Sequence, residues 1–220
     1  RFGRINQVQI NNKIGLSFAS ILRTALRQDP DIIMVGEMRD QETVDIGLRA
    51  ALTGHLVLST LHTNDAIPSA MRLIDMGAPA YLVASSLRAI IAQRLVRRVC
   101  NDCKVPYLPD HQELSWLKYL GEDIADAHFS KGQGCTACNH SGYKGRVGIF
   151  ELLEMDDAMM DALRANDTQE FSKAAKNSAN FSPLSTMALN YAKQGITSLD
   201  EVFKVAEYIP EIVGDADATI

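Results

Sequence analysis

Long apolar runs are missing from this 220-residue chain. No stretch of eighteen consecutive apolar residues occurs, so no segment is suited to span a bilayer. Aromatic residues are scarce at 6%, with a single tryptophan, so aliphatic side chains must build the core. The 46% hydrophobic content is enough for one. An excess of positive charge is also lacking. Twenty-two Lys and Arg stand against 27 Asp and Glu, a formal net charge of -5 that argues against nucleic acid as the main partner. Arg1-Phe2-Gly3-Arg4 precedes no long apolar stretch, and no signal peptide is expected. There is no internal repeat and no low-complexity tract. The length suits one large domain, or a domain with a small module.

The stretch that organises the chain is Leu26 to Asp40, LRQDPDIIMVGEMRD. Before it lies an amphipathic segment that Ser17 can cap, expected to be helical through Gln28. Asp29-Pro30 breaks that helix, because the residue before proline is pushed out of the helical region. Ile32 to Val35 then reads as a short strand buried on both faces. Gly36, Glu37, Met38, Arg39 and Asp40 come at the strand's end, where open α/β sheets bind ligands. A carboxylate there suits a metal-bound phosphate; the bland alternative is a solvated loop.

Upstream, Arg4 to Ile10 reads as a strand with Ile5, Val8 and Ile10 as its apolar members. Downstream, Asp40 can cap a helix whose apolar face is Val44, Leu48, Ala51 and Leu52, and Thr53-Gly54 ends it. His55 to Leu61 is the next strand, with His62 at its end. Strand, helix and strand make a right-handed βαβ unit. Glu37 and His62 are thereby placed on one edge of a parallel sheet, the geometry a nucleotide site needs. His55 and His62 are seven apart, which on a strand puts them on opposite faces, so a two-histidine metal hydrolase is disfavoured. A helix from Asn64-Asp65 carries Ile67, Met71 and Ile74 on one side and stops at Gly77. Pro79 opens a longer helix to about Val99, whose Arg97 and Arg98 form a basic solvated end.

Cys100-Asn101-Asp102-Cys103 and Cys135-Thr136-Ala137-Cys138 are two CxxC knuckles with 31 residues between them. Two such pairs converging on one ion fit a closed, four-thiolate structural zinc site. Two disulfides or inert buried thiols are the alternatives, and a reducing compartment disfavours the first. The intervening loop carries a helix-like piece, Gln112 to Leu120. His111, His128 and His140 lie in this region, and His140 is near enough to Cys138 in sequence to compete as a ligand. Gly142 to Arg146 is turn-like and Val147 to Leu153 a returning strand. Helices are expected at about 156–165, 169–177, 183–194 and 199–208. Ser182-Pro183 opens the third, and a capping box from Ser198 to Glu201 opens the fourth. The expected division is 1–99 core, 100–145 tetracysteine module, 146–210 return strand and helical bundle, and 211–220 a frayed acidic tail.

The Leu26–Asp40 stretch resembles the signature of the type II secretion and type IV pilus assembly ATPases: Leu-Arg, two residues, Pro-Asp, an apolar run, then Gly-Glu-Met-Arg-Asp. Thr53 to Ala66, TGHLVLSTLHTNDA, is similar to that family's histidine box, and AQRLVR and Gly148-Ile149-Phe150-Glu151 also resemble it. The likeness runs from about Ile5 to about Val205 and is closest to the ATPases of mannose-sensitive haemagglutinin-type pili. It implies a partial RecA-like P-loop NTPase core of α/β class. It implies ATP and Mg²⁺ at the site and Zn²⁺ on Cys100, Cys103, Cys135 and Cys138. Glu37 stands at the Walker B position, and His62 at the position that senses the γ-phosphate. Arg39, Thr60 and His55 are supporting candidates. The implied setting is a homo-hexamer beneath an inner-membrane platform protein, on the cytoplasmic side. No GxxxxGK[ST] occurs in the chain. The family's Walker A motif and Asp-box carboxylates lie upstream of the matched region, so the chain is expected to be the C-terminal part of a larger motor and inactive by itself. A non-catalytic, zinc-stapled docking module on a motor-like fold is the alternative.

Overall fold

The computed structural model describes residues 5–120 and 123–206. These divide into two compact units, residues 5–91 with 152–181, and residues 92–120 and 123–151 with 182–206. The units cut across the expected division. Of the helices after the returning strand, two belong to the first unit and two to the second.

The first unit holds the βαβ element. Helix α1 (Phe18–Ala25) starts at Ser17, whose hydroxyl accepts from the Ser20 amide, and a short 3₁₀ turn, Leu26–Gln28, continues it. Strand β1 (Ile32–Val35) and strand β2 (Leu56–Ser59) pair in parallel, Ile32 opposite Leu56 and Met34 opposite Leu58. Helix α2 (Gln41–Leu52) joins them, capped by Asp40, whose carboxylate accepts from the Thr43 amide and hydroxyl. Val44 and Leu48 are its buried face; Leu52 is exposed.

Two expectations fail here. Residues 5–10 form no strand; Ile5 and Val8 are exposed, and Arg4 lies outside the described residues. Strand β1 is buried on one face only, through Ile33 and Val35, while Ile32 and Met34 are 62% and 72% exposed.

Helix α3 (Ala66–Asp75) buries Ala66, Ser69, Ala70 and Leu73 rather than Ile67, Met71 and Ile74. It packs on two other helices of this unit, and small residues permit that close approach. One is helix α4 (Ala80–Ser86); the other, helix α7 (Thr168–Asn177), comes much later in the chain. Helix α4 ends at Leu87, whose backbone is extended. The chain then enters strand β3 (Ala89–Val99), where a continued helix was expected. Ala92 and Val96 are buried on alternate positions, with Gln93 and Leu95 outward, a period of two.

Strand β3 pairs with β6 (Tyr143–Glu154), and in the second unit β4 (Lys104–Pro106) pairs with β5 (Ser130–Gly132), antiparallel. Helix α5 (His111–Tyr119) lies between β4 and β5 in the chain. Helix α6 (Asp157–Arg164) and α7 return to the first unit. Helix α8 (Leu184–Lys193) and helix α9 (Leu199–Phe203) complete the second. Trp116, Leu117, Ile149, Leu189 and Val202 are at its core, with Phe203 edge-on to Trp116 at 4.9 Å. Burying each such side chain contributes about 1.5–3 kcal/mol.

The predicted capping box at α9 does not form. Glu201 instead accepts from the Arg97 amide at 2.9 Å and from its guanidinium at 2.7 and 3.0 Å. The Arg97 guanidinium also lies over the Tyr143 ring at 3.9 Å, so Arg97 is not a solvated helix end. Burial would raise the Glu201 carboxyl. Hydrogen bonds from Arg97 and Lys204 more than offset this and hold it at about 2. The last expected helix is shorter than predicted: it stops at Phe203, and Lys204 to Ala206 are turn and irregular chain. Its final two expected positions, 207–208, and the acidic tail 211–220 lie outside the described residues.

Candidate active site and candidate metal centre

Strands β1 and β2 end side by side, and their C-terminal extensions meet. The Thr60 hydroxyl donates to the Gly36 carbonyl at 2.7 Å, and the Met38 amide donates to the Thr60 carbonyl at 3.1 Å. These two bonds lock the Gly36–Asp40 turn to the residues leading to His62. Nε2 of His62 stands 2.8 Å from Oε2 of Glu37. An ionised carboxylate only accepts, so Nε2 carries the proton and donates. Arg39 reaches the other oxygen, Oε1, with Nη2 at 2.5 Å. Arg39 first, then His62, hold the Glu37 carboxyl below its ordinary value, so it is ionised at neutral pH. Glu37 is one-fifth exposed, while the His62 and Arg39 side chains are 80% and 67% exposed. The group is an open, charged cluster at the strand ends, suited to face a polyanion and its cation.

The loop after His62 is tied by hydroxyls that the sequence did not single out. Ser69 Oγ donates to the Asp65 carbonyl at 2.7 Å and lies 2.5 Å from Thr63 Oγ1. The single Ser69 proton is used on Asp65, so Thr63 is the donor of the pair. No spacing rule marks such a pair. His55 belongs elsewhere: it sits at the opposite end of β2, its Nδ1 3.0 Å from the Ala50 carbonyl at the end of α2. Its place serves the helix terminus and not the Glu37 cluster.

The four cysteines come together in the second unit, their sulfurs all within 4.8 Å of one another. Cys100–Cys135 and Cys103–Cys138 are 3.9 Å apart and Cys135–Cys138 3.7 Å. A tetrahedral ion with bonds of about 2.3 Å to sulfur sets its ligands about 3.8 Å apart. None of the cysteines forms a disulfide. Backbone amides point at sulfur: Gly134 to Cys103, and Cys135 and Gly142 to Cys138, at 3.2–3.3 Å. These bonds favour thiolates and lower the Cys138 pKa, whereas burial raises those of Cys100 and Cys103. A divalent cation would offset that cost, and the donor set fits zinc. His140 is not in the cluster; it comes after the second knuckle with φ 59°, beside Asn139 at 49°. Gly134 and Gly142 are required by space as well as by positive φ. A side chain on Gly134 would meet the His140 carbonyl, and one on Gly142 the Gly132 carbonyl.

The family model described as Type II/IV secretion system protein matches residues 1–204. The chain belongs to this family. Among curated relatives, it is 48% identical over 198 residues to the type IV pilus assembly ATPase PilB of Thermus thermophilus, covering 90% of this chain and 22% of that protein. It is 43% identical over 203 residues to the type II secretion system ATPase E of Vibrio cholerae, covering 92% and 40%. Among solved structures, the pilus retraction motor PilT with bound ADP aligns at a TM-score of 0.59 with 30% identity, over 87% of this chain and 44% of that one. The Legionella pneumophila ATPase DotB aligns at 0.60 with 25% identity, over 86% and 42%. The chain thus spans less than half the length of each of these proteins. The fold is ATPase-like α/β, and no helix among the described residues is long and apolar enough to cross a membrane.

Proposed function

We propose that this chain supplies the catalytic-carboxylate half of an ATP hydrolysis site in a hexameric motor that drives pilus assembly or type II secretion from beneath an inner-membrane platform protein. The observation that carries this is the Glu37–His62 pair, held together at the ends of adjacent parallel strands. Mg²⁺ would supply charge neutralisation between the phosphates. Glu37, ionised and at the Walker B position, would help hold the Mg²⁺ through its water shell or orient the attacking water. His62, with its proton on Nε2, is placed to donate to a γ-phosphate oxygen. Arg39 keeps Glu37 charged and oriented, and Thr60 fixes the turn that carries it. Phosphoryl transfer depends on positioning and electrostatics, which is what these groups offer.

Two further observations support a divided site. No GxxxxGK[ST] is present in the 220 residues, so the phosphate cradle comes from elsewhere in the working protein. The parallel β1–β2 pair leaves Ile32, Met34, Leu56 and Leu58 exposed on one face, although parallel sheets are covered on both. More of a RecA-like core belongs against that face. The tetracysteine cluster binds one Zn²⁺ in a closed, structural role, separate from the chemistry of hydrolysis.

The test is turnover in the longer protein that contains this chain. Glu37→Gln should lower kcat by about 100-fold or more while nucleotide still binds, and His62→Ala should cost less. Wild-type turnover by the Glu37→Gln protein would refute the assignment.

A further inference from the structure

Helix α2 contains a glycine, Gly47, in its interior, and its backbone gives no reason for one. Gly47 is absent from the glycines with positive φ. Alanine there would be the better helix former. The reason is space. A Cβ on Gly47 would lie 2.5 Å from Cε of Met38 and 3.8 Å from Cγ1 of Val57. The missing side chain is a socket, closed on its far side by β2, and the end of Met38 fills it.

Met38 is the one buried residue of the Gly36–Asp40 turn, 8% exposed. Its amide donates to Thr60, and its side chain is held in α2. The residues on either side of it, Glu37 and Arg39, lie toward solvent and pair with each other. Local pairing leaves open where the two charges stand relative to His62, which arrives from β2. Met38 couples the turn to the middle of α2, as the Asp40 cap couples it to the helix's first turn.

We propose that Met38 is a positioning residue and Gly47 its receiving site: their contact sets the Glu37 carboxylate against His62. The activity consequence rests on the reading of Glu37 given above. The geometric consequence does not, and it is measurable in the 220-residue chain without nucleotide.

The experiment tracks the Glu37 side-chain carboxyl carbon by NMR across an acid titration. His62→Ala should raise the Glu37 midpoint, because it removes one of the two groups that lower it. Gly47→Ala should raise it in the same direction but by less, since the added methyl meets Cε, the free end of the Met38 side chain, and pushes on the turn that carries Glu37. A helix-only role for position 47 gives no such shift, because alanine is the better helix former. Gly47→Ala combined with Met38→Leu should restore the wild-type midpoint. Leucine ends one atom short of Cε, at the level of Sδ, which lies 3.9 Å from the new methyl. In the longer protein, Gly47→Ala should lower kcat about tenfold with KM within about twofold, and the double variant should recover it. An unchanged midpoint in Gly47→Ala, or no recovery in the double variant, overturns the inference. So does an unchanged midpoint in His62→Ala, which would remove the pairing itself. If Glu37→Gln retains turnover, the catalytic reading falls while the titration still decides the positioning.

Discussion

The Glu37 cluster and the tetracysteine cluster are built on opposite terms. The cysteines are enclosed: Cys100 is fully buried, Cys138 is 6% exposed, amides point at sulfur, and glycines let the segments on either side of the second knuckle touch backbone to backbone. Everything such a site needs, apart from the ion, is in the one unit. Glu37, Arg39 and His62 stand open beside a strand pair whose second face is exposed. A closed site fixes its own geometry and leaves no position for a substrate. An open one leaves room for a ligand, and its precision comes from anchors set behind it, namely Thr60, Met38 and Thr63. The difference is the one the proposed function requires between a structural staple and a site of chemistry.

The sharpest way to break the comparison is at the staple. The purified chain should carry about one zinc per molecule, and Cys135→Ser or a strong chelator should remove it. Amide exchange over residues 103–142 should then speed by about 100-fold or more, while the β1–β2 unit keeps its protection. Elemental analysis that finds no metal in a folded, fully reduced sample would rule out the staple.

A smaller effect is expected at the Arg97–Glu201 pair, which ties α9 to β3. The Glu201 carboxyl is held at about 2, below its ordinary 4.5. Its contribution is therefore complete above about pH 4.5 and is lost as pH falls toward 2. Glu201→Gln should destabilise the second unit by about 1 kcal/mol at neutral pH, because Arg97 loses its charged partner but is 42% exposed, so water takes up much of the loss. It should also flatten the acid limb of the unfolding profile. A variant with the wild-type acid limb would show that the pair carries no such linkage.

The smallest effect belongs to the exposed Arg23–Glu42 pair, both side chains more than half exposed. Arg23→Ala should change stability by no more than about 0.5 kcal/mol in thermal unfolding. A larger loss would mean that α1 and α2 are held by charge more than by Leu22 and Val44.

The sequence was most legible where signals were local. Ser17, Asp40 and Gly77 marked helix ends that the structure keeps. The two CxxC pairs announced their convergence, and the apolar runs after Pro30 and Gly54 announced a parallel pair with Glu37 and His62 on one edge. It was least legible where distant partners decide. Residues 89–99 look helical after Pro79 because Ile91 and Leu95 put apolar side chains on the outward face, which hides the alternation of Ala92, Arg94 and Val96. Glu201 fits a capping box until Arg97, 104 residues away, takes its carboxylate. Helix α3 reads by its large residues but packs by its small ones. The exposed face of β1 was unforeseeable from Ile32-Ile33-Met34-Val35, since four apolar residues look the same whether or not the covering layer is present.

If Glu37 and His62 act on a phosphate cradled outside these 220 residues, the chain by itself must be a poor ATPase. The most direct measurement compares ATP turnover by the purified chain with turnover by the longer protein, at matched zinc content. The chain alone should be slower by about three orders of magnitude or more and should bind nucleotide weakly, because positioning supplies most of the rate in phosphoryl transfer. Comparable turnover by the two proteins would place the whole phosphate site within these residues and contradict the divided site.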